Sequence, residues 1–145
     1  MVAEMDMEIR LLTSADIDRF EHLAEDVFDF AVDRSLAARF LAEPTHHICV
    51  AMVEGCIVGF ASAVHYLHPD KPAQLWINEV GVAASHRGRG IAKAIVTTLL
   101  DHARSLGCVE AWVLTDADNL AARALYRSAG GTSESSQLMV TFRLQ

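Results

Sequence analysis

Hydrophobic positions alternate along some stretches of the chain and recur at helical spacing along others, and these two periods predict the order of the elements. The alternating pattern predicts strands at 8–12, 47–53, 56–65, 74–83, 109–115 and 138–144. Helical spacing predicts one helix after a Thr13 or Ser14 cap and three more at 34–42, 88–106 and 119–129. The Glu54-Gly55 pair predicts a hairpin turn between the second and third strands.

The same spacing assigns an inward face to each of the first three helices. The first helix is expected to bury Ile17, Phe20, Ala24, Val27 and Phe28. The second is expected to bury Leu36, Ala37 and Phe40. The third is expected to bury Ile91, Ala94, Ile95, Thr98, Leu99 and Leu106, and Gly107 would end it.

Together these elements predict an α/β fold, a single domain with a mixed central sheet and helices on both faces. The strands at 74–83 and 109–115 are joined through a helix, so they should run parallel in a right-handed crossover. Ligands of such sheets bind at the carboxyl ends of the strands. The loop at 84–90 is therefore the expected binding region.

Composition argues against several classes of function. The net charge of −7 argues against a nucleic-acid partner held by phosphate contacts. No apolar run approaches the ~20 residues that span a membrane, and the acidic start lacks a secretory signal, so a cytoplasmic protein is expected. The histidines lack metal-ligand spacing, so no metal is expected. Cys49, Cys56 and Cys108 predict buried free thiols, with a catalytic cysteine as the alternative.

Acidic side chains concentrate at the start of the chain. Residues 1–33 hold only Arg10 and Arg19 as cations, against Glu4, Asp6, Glu8, Asp16, Asp18, Glu21, Glu25, Asp26, Asp29 and Asp33. Most of these carboxylates fit the solvated face of a helix. A cluster of one sign can also concentrate cationic ligands near a cleft.

The turn at 87–93 predicts a pyrophosphate site. Arg87-Gly88-Arg89-Gly90-Ile91-Ala92 precedes a long amphipathic helix, whose first N–H groups lack intrahelical partners and attract anions. Glycine at 88 and 90 lets a phosphate approach the backbone. The spacing excludes a Walker loop and a dinucleotide fingerprint. The alternative is a solvated basic turn.

The flanking residues resemble a known family. The strand Asn78-Glu79-Val80-Gly81-Val82, followed by Arg87-x-x-Gly90-x-Ala92, resembles the acyl-CoA signature of the GNAT superfamily of N-acetyltransferases. The stretch from Asn119 to Gly130, with Tyr126 seven residues after Asn119, resembles the last helix of that superfamily. The resemblance implies the GNAT fold and transfer of an acetyl group from acetyl-CoA to an amine.

The resemblance also implies how the cofactor is held. Backbone N–H groups would bind it along Arg87, Gly88, Arg89, Gly90, Ile91, Ala92 and Lys93, with added charge from Arg89 and Lys93. The backbone of Val80, Gly81 and Val82 would pair with the pantetheine arm, and one of its N–H groups would polarise the thioester carbonyl. Gly81 fits a bulged or splayed strand.

Tyr126 is the candidate general acid, because the resemblance places it where the departing thiolate needs a proton. The alternative is a core aromatic side chain on the last helix, beside Leu125. Asn119 would orient the cofactor, cap the helix, or do both.

Glu79 is the candidate general base, a carboxylate in an apolar strand where burial would make it a stronger base. The alternative is a solvent-facing residue on an alternating strand. Some family members carry a glutamate where Leu114 stands here, which leaves Asp116 as a substitute. His65 and Tyr66 could also help to bind or deprotonate the acceptor.

The stretch from Val64 to Val80 is similar to the small GNAT-type aminoglycoside 3-N-acetyltransferases, which place a carboxylate at the position of Glu79. That implies an aminoglycoside acceptor, a small cationic amine, and antibiotic resistance. The expected acceptor contacts are Glu25, Asp26, Asp29, Asp33, Tyr66, Glu79 and Asp116. The alternatives are a peptide, protein or polyamine acceptor, and an acyl-CoA-binding module without catalysis. The resemblance also implies a homodimer, with the strand at 138–144 as the pairing edge.

Overall fold

The computed structural model describes residues 6–134 and 136–145. The chain forms two compact units, one that ends at Leu114 and one that begins at Thr115. The first unit holds strands β1 (Met7–Leu11), β2 (His46–Val53), β3 (Cys56–Tyr66), β4 (Gln74–Val82) and β5 (Glu110–Val113). It also holds 3-10 helices at Ser14–Glu21 and Ala84–His86 and the helices α1 (Arg34–Ala42) and α2 (Ile91–Ser105). The second unit holds α3 (Leu120–Ser128).

The five strands form one mixed sheet in the order β1-β2-β3-β4-β5. The first four strands are antiparallel neighbours, and β4 and β5 are parallel, as the strand–helix–strand pattern predicts. Glu54 and Gly55 have φ values of 53° and 76°, so both central turn residues are left-handed and join β2 tightly to β3. The predicted hairpin is confirmed.

Apolar side chains cover both faces of the sheet. On one face α2 lies so close that a Cβ on Gly59 would be 3.1 Å from the Ile95 side chain. The opposite face carries a core of Ile48, Val50, Met52, Ile57, Phe60, Val27 and Ala83, against which Phe40 and Leu41 of α1 also pack. Phe28 stacks on Phe60 with ring centroids 4.1 Å apart. The mixed sheet with helices on both faces is thus confirmed.

The first predicted helix is wrong beyond Glu21. Thr13 precedes the helix and donates its N–H to Asp16 Oδ2 (2.8 Å). Farther on, Ala24 N–H donates to Ile57 O (2.9 Å) and Ile57 N–H donates to His22 O (2.8 Å). This pairing with β3 satisfies backbone groups that a helix would otherwise use. Val27 and Phe28 therefore reach the core from an irregular segment, and their helical spacing is coincidental.

Several burial and boundary predictions are also wrong. Leu36 is exposed because the apolar face of α1 is carried by Phe40 and Leu41, and Leu106 is exposed because it follows the last turn of α2. The predicted strand at 138–144 is absent from the described residues, where Leu138, Met139, Val140, Phe142 and Leu144 are exposed. Alternation marks strand propensity, but a strand also needs a neighbour for its hydrogen bonds. The homodimer stays a prediction.

The cysteine prediction holds in part. All three thiols are free, but Cys49 is fully buried whereas Cys56 and Cys108 are only half-buried. Burial raises the pKa of Cys49 to about 12 and also raises the pKa of Cys108. A thiol that stays protonated at neutral pH is a poor nucleophile.

Candidate functional site

The loop between β4 and α2 is an open backbone cradle. Gly88 and Gly90 both have φ of 75°, and no described atom lies within 4 Å of where a Cβ would stand on either of them. Gly90 is the N-cap of α2 and offers no side-chain bond to the helix. The first helical bond runs from Ala94 N–H to Gly90 O (3.1 Å), so the N–H groups of residues 91–93 face outward. Such a helix start suits a phosphate.

Contacts to the strands fix this cradle in place. Arg87 Nε donates to Val82 O (3.2 Å), which ties the loop back to the end of β4. Ala83 N–H donates to Val58 O (2.8 Å) on β3. Arg87, Arg89 and Lys93 are exposed around the loop and give it positive charge. The residues of the predicted pyrophosphate site are therefore brought together, and they fit a ligand that ends in phosphates.

The strand before the cradle has an open edge. β4 pairs with β3 along its whole length, but its register with β5 ends at Ile77↔Val113. Within the described chain, residues 78–82 of β4 therefore have a strand neighbour on one side alone. Val80, Gly81 and Val82 lie on this stretch. Their outward N–H and C=O groups can pair with an extended ligand, as in β-strand addition.

A β-bulge precedes this open edge. The register passes from Ala63↔Ile77 to Ser62↔Glu79, so Asn78 is the extra residue. The bulge expected at Gly81 therefore lies three residues earlier, and Gly81 pairs regularly with Phe60. Gly81 is required for close approach instead, since a Cβ there would be 2.6 Å from Val27 O.

Glu79 lies exposed on the sheet face, opposite Ser62. The expectation that the strand buries this carboxylate is wrong, because the bulge brings it to an open part of the sheet. The alternative of a solvent-facing residue is the observed one. A water molecule can reach Glu79, so the carboxylate can still relay a proton to solvent.

The acidic segment that follows the first 3-10 helix is attached to the cradle. Asp26 Oδ1 accepts a hydrogen bond from Ala84 N–H (3.1 Å), and Val27 packs above Gly81. Glu25 and Asp29 are exposed on the same segment. Asp33 serves α1 as its N-cap, and bonds from the Ser35 hydroxyl and the Leu36 N–H lower its pKa. Of the four carboxylates between residues 25 and 33 that were expected to contact the acceptor, Asp26 and Asp33 thus have structural roles.

In the second unit, Asn119 immediately precedes α3 and Tyr126 lies on it. Asn119 Oδ1 accepts from Ala122 N–H (3.0 Å), so Asn119 caps the helix as one of its two expected roles requires. Tyr126 is half-buried, and burial raises the pKa of its phenol, which stays protonated at neutral pH. Asp116 is exposed, and its carbonyl accepts from Asn119 N–H (3.1 Å).

The first unit contains two side-chain clusters that the sequence analysis did not predict. One joins Tyr66 with Trp76 and Trp112, and the Trp112 Nε1–H donates to the Tyr66 hydroxyl (3.2 Å). The other joins His47, His65 and His102. A tryptophan in each of two adjacent parallel strands was the available signal for the first. The second depends on contacts between β2, β3 and α2 that no local pattern reveals.

Among residues 6–134 and 136–145, no group of three or more histidine, cysteine or acidic side chains is arranged to hold a metal ion. In the same part of the chain, none of the helices has the length and apolar character needed to cross a membrane.

Comparison with known proteins gives a consistent family. The model of the acetyltransferase (GNAT) family matches residues 14–130. An N-alpha-acetyltransferase, RimI of Mycobacterium tuberculosis, is 37% identical over 124 residues, which span 84% of this chain and 76% of that protein. Three further curated relatives are longer, and the chain spans between 28% and 39% of their lengths.

Solved structures share the fold over nearly the whole chain. An aminoglycoside acetyltransferase from an uncultured soil metagenomic sample, in complex with sisomicin, has a TM-score of 0.84 at 20% identity and covers 96% of this chain and 97% of its own. An aminoglycoside N-acetyltransferase in complex with CoA has a TM-score of 0.79 at 19% identity, and the match covers 100% of this chain and 99% of that one. At such identities the likeness concerns the fold.

Proposed function

Because this chain belongs to the acetyltransferase (GNAT) family and is an acetyl-CoA-dependent N-acetyltransferase, we propose that it acetylates an amine of a polycationic small molecule of the aminoglycoside type. One observation carries the choice of acceptor. The segment with Glu25 and Asp29 is bonded to the cofactor loop through Asp26 and Ala84, so exposed carboxylates lie beside the cradle. Carboxylates there would attract and orient a polycation.

Acetyl-CoA supplies an activated acetyl thioester when it is bound. The N–H groups of the cradle, with Arg87, Arg89 and Lys93, hold its phosphates in this proposal. Residues 80–82 would pair with its extended arm along the open edge of β4. One N–H group of that edge would donate to the thioester carbonyl oxygen, where negative charge develops during the reaction.

In this proposal Glu79 is the general base and Tyr126 is the general acid. Glu79 accepts a proton from the attacking amine through a water molecule, as the new C–N bond forms. Tyr126 would donate its phenolic proton to the sulfur as the C–S bond breaks, and burial raises the pKa of Tyr126, so the phenol holds that proton at neutral pH. Asp116 is the substitute base.

The test of the base is thiol release from acetyl-CoA with a panel of acceptors: several aminoglycosides, spermidine, free amino acids and a short peptide. We expect Glu79→Gln to lower kcat about 10²-fold or more with an aminoglycoside. Asp116→Asn is the matched comparison, with kcat near wild type. If Asp116→Asn lowers kcat and Glu79→Gln does not, Asp116 is the base.

The test of the acceptor is the double variant Glu25→Gln/Asp29→Asn. We expect its KM to rise several-fold for a polycationic aminoglycoside and to stay unchanged for an amine with a single charge, because pairwise attraction grows with acceptor charge. Glu43→Gln removes an exposed carboxylate from the end of α1 and is the control. An unchanged KM in the double variant would overturn the assignment of these carboxylates. NMR of the product tests the 3-N position.

A second acceptor class is favoured by one comparison. The relative that is 37% identical to this chain is named an N-alpha-acetyltransferase, so a peptide α-amine is the second candidate. Turnover of the short peptide, with none of the aminoglycosides, would select it.

A further inference from the structure

The chain has two tryptophans, and they stack on each other where β4 and β5 are paired. Trp76 and Trp112 are register partners, with ring centroids 5.0 Å apart and planes inclined by 10°. The Trp112 Nε1–H donates to the Tyr66 hydroxyl (3.2 Å), and the Tyr66 ring meets His68 at a centroid distance of 4.9 Å. We call these four residues the aromatic cluster. Trp76 remains 37% exposed, so the cluster presents a fixed indole surface to solvent.

The cluster also holds polar atoms that can take further partners. The Tyr66 hydroxyl receives the indole N–H and keeps its own hydrogen for donation. His68 Nε2 is buried and has no hydrogen-bond partner within the described chain. A buried polar atom without a partner is costly, so each of these atoms favours a ligand that brings hydroxyl or amino groups.

The bulge at Asn78 places the aromatic cluster on the same sheet face as the candidate base. Residues 76 and 79 would face opposite sides of a regular strand. Here Trp76 lies opposite Val64 and Glu79 lies opposite Ser62, and these two β3 residues share a face. Val64 and Ser62 are two steps apart along β3, so Trp76 and Glu79 are separated by roughly 7 Å along the strand.

We propose that Trp76, held in place by its stacking on Trp112, is the surface on which the non-reacting part of the acceptor packs, and that this part is an amino-substituted saturated ring. The inference rests on the proposed function, because Glu79 defines where the reacting amine must lie. A saturated ring offers a C–H face to the indole, and its ammonium groups are attracted to the indole π-system. Glu79 provides a complementary charge on the same face.

The shape of the surface favours a ring over an extended peptide. Trp112 stacks on one face of Trp76 and holds that indole in place, so little side-chain entropy is lost when a ligand packs on Trp76. An extended peptide gains its affinity mainly from main-chain bonds along a strand edge. The exposed part of the Trp76 indole offers apolar contact, with the Tyr66 hydroxyl in the same cluster.

The test uses intrinsic fluorescence, because Trp76 and Trp112 are the two tryptophans of the chain and both belong to the cluster. Titration of the 145-residue chain with 2-deoxystreptamine-containing aminoglycosides should change the emission with saturation, whereas spermidine, which has no ring to pack on the indole, should change it much less. In kinetics, Trp76→Ala should raise KM for the aminoglycoside about tenfold. Trp76→Phe keeps an aromatic ring, so its KM for the aminoglycoside should lie between those of Trp76→Ala and wild type. Val109→Ala removes an exposed apolar side chain next to β5 and is the control.

The outcomes separate this inference from the proposed function. If aminoglycosides are turned over but Trp76→Ala keeps a wild-type KM, the inference is wrong and the function stands. If only the peptide is turned over and emission does not respond to aminoglycosides, both fail. If Trp76→Ala does not fold, the fluorescence titration of wild type and the kinetics of Trp76→Phe replace it. The inference is wrong if aminoglycosides leave the wild-type emission unchanged and Trp76→Phe keeps the wild-type KM for the aminoglycoside.

Discussion

His47 and His65 meet between neighbouring strands, with His47 Nε2 2.7 Å from His65 Nδ1. The other ring nitrogen of His47 lies 3.3 Å from His102 Nε2 on α2, so one imidazole links two strands and a helix. A neutral imidazole has one donor and one acceptor nitrogen, which matches two such contacts. Burial, followed by the charges of His102, His65 and His46, lowers the pKa of His47 to about 4.

This linkage predicts loss of stability in mild acid. The folded pKa of His47 lies below the unfolded value of about 6.5, so the unfolded chain binds the proton more readily between those two values. The stabilisation is therefore complete above pH 6.5 and is lost as the pH falls toward 4. The ring is half exposed, so we expect a contribution on the order of 1–2 kcal/mol. Urea unfolding at several pH values measures it.

His47→Gln should flatten the pH dependence of the free energy of unfolding between pH 6.5 and 4. His22→Gln is the control, because His22 is exposed. An equal slope in wild type and His47→Gln would show that other groups cause the acid sensitivity.

Gly90→Ala should weaken the binding of acetyl-CoA. The added Cβ meets no described protein atom, so its cost to folding is the left-handed backbone, about 1 kcal/mol. The methyl group would stand where a phosphate approaches the start of α2. Calorimetric titration with acetyl-CoA should show a Kd at least tenfold higher.

Gly107→Ala is the matched control for that variant. Gly107 follows the other end of α2, has φ of 82° and also has open space around its Cβ position. The same backbone cost should therefore appear without a change in acetyl-CoA affinity. Equal Kd values for the two variants would contradict the assignment of the cradle.

Gly81→Ala should destabilise the fold itself. A Cβ at this position would be 2.6 Å from Val27 O and 2.9 Å from Phe60 Cε1, and the backbone oxygen cannot move without shifting the acidic segment. We expect a loss of about 1–3 kcal/mol in the free energy of unfolding, as for overpacked cores. Gly59→Ala is the comparison, where the nearest atom is the end of the Ile95 side chain at 3.1 Å. Chemical denaturation should rank Gly81→Ala as the less stable variant.

Tyr126→Phe should lower kcat sharply and leave acetyl-CoA affinity near wild type, because it removes a proton donor without removing the ring. Single-turnover kinetics and calorimetry measure the two quantities. Ser128→Ala removes a hydroxyl from the same helix and should change neither. An undiminished kcat in Tyr126→Phe would remove Tyr126 from the mechanism.

Local sequence predicted most elements and the cradle well. The strand, glycine turn and amphipathic helix around Gly88 and Gly90 are specified by neighbours in the chain, so their positions could be assigned within a few residues. The cap at Asn119 was assigned for the same reason. Such features depend on backbone groups a few positions apart.

Long-range contacts decided the remaining features. The chain after Glu21 pairs with β3 rather than continuing a helix, because Ile57 offers it backbone partners. The bulge at Asn78 brings Glu79 to the open face with Trp76, and a one-residue shift in register cannot be seen in the composition of one strand.

Periodicity and turn chemistry were therefore sufficient for the α/β order, the hairpin at Glu54-Gly55 and the glycine loop before α2, since each depends on adjacent residues. The tertiary structure decided which carboxylates serve the fold, because Asp26 and Asp33 accept hydrogen bonds from backbone N–H groups, although they are exposed like Glu25 and Asp29. It also decided the stacking of Trp76 on Trp112 and the contacts among His47, His65 and His102. Those contacts join residues far apart in the chain, and only the paired strands and the helix packed on them bring such residues within bonding distance.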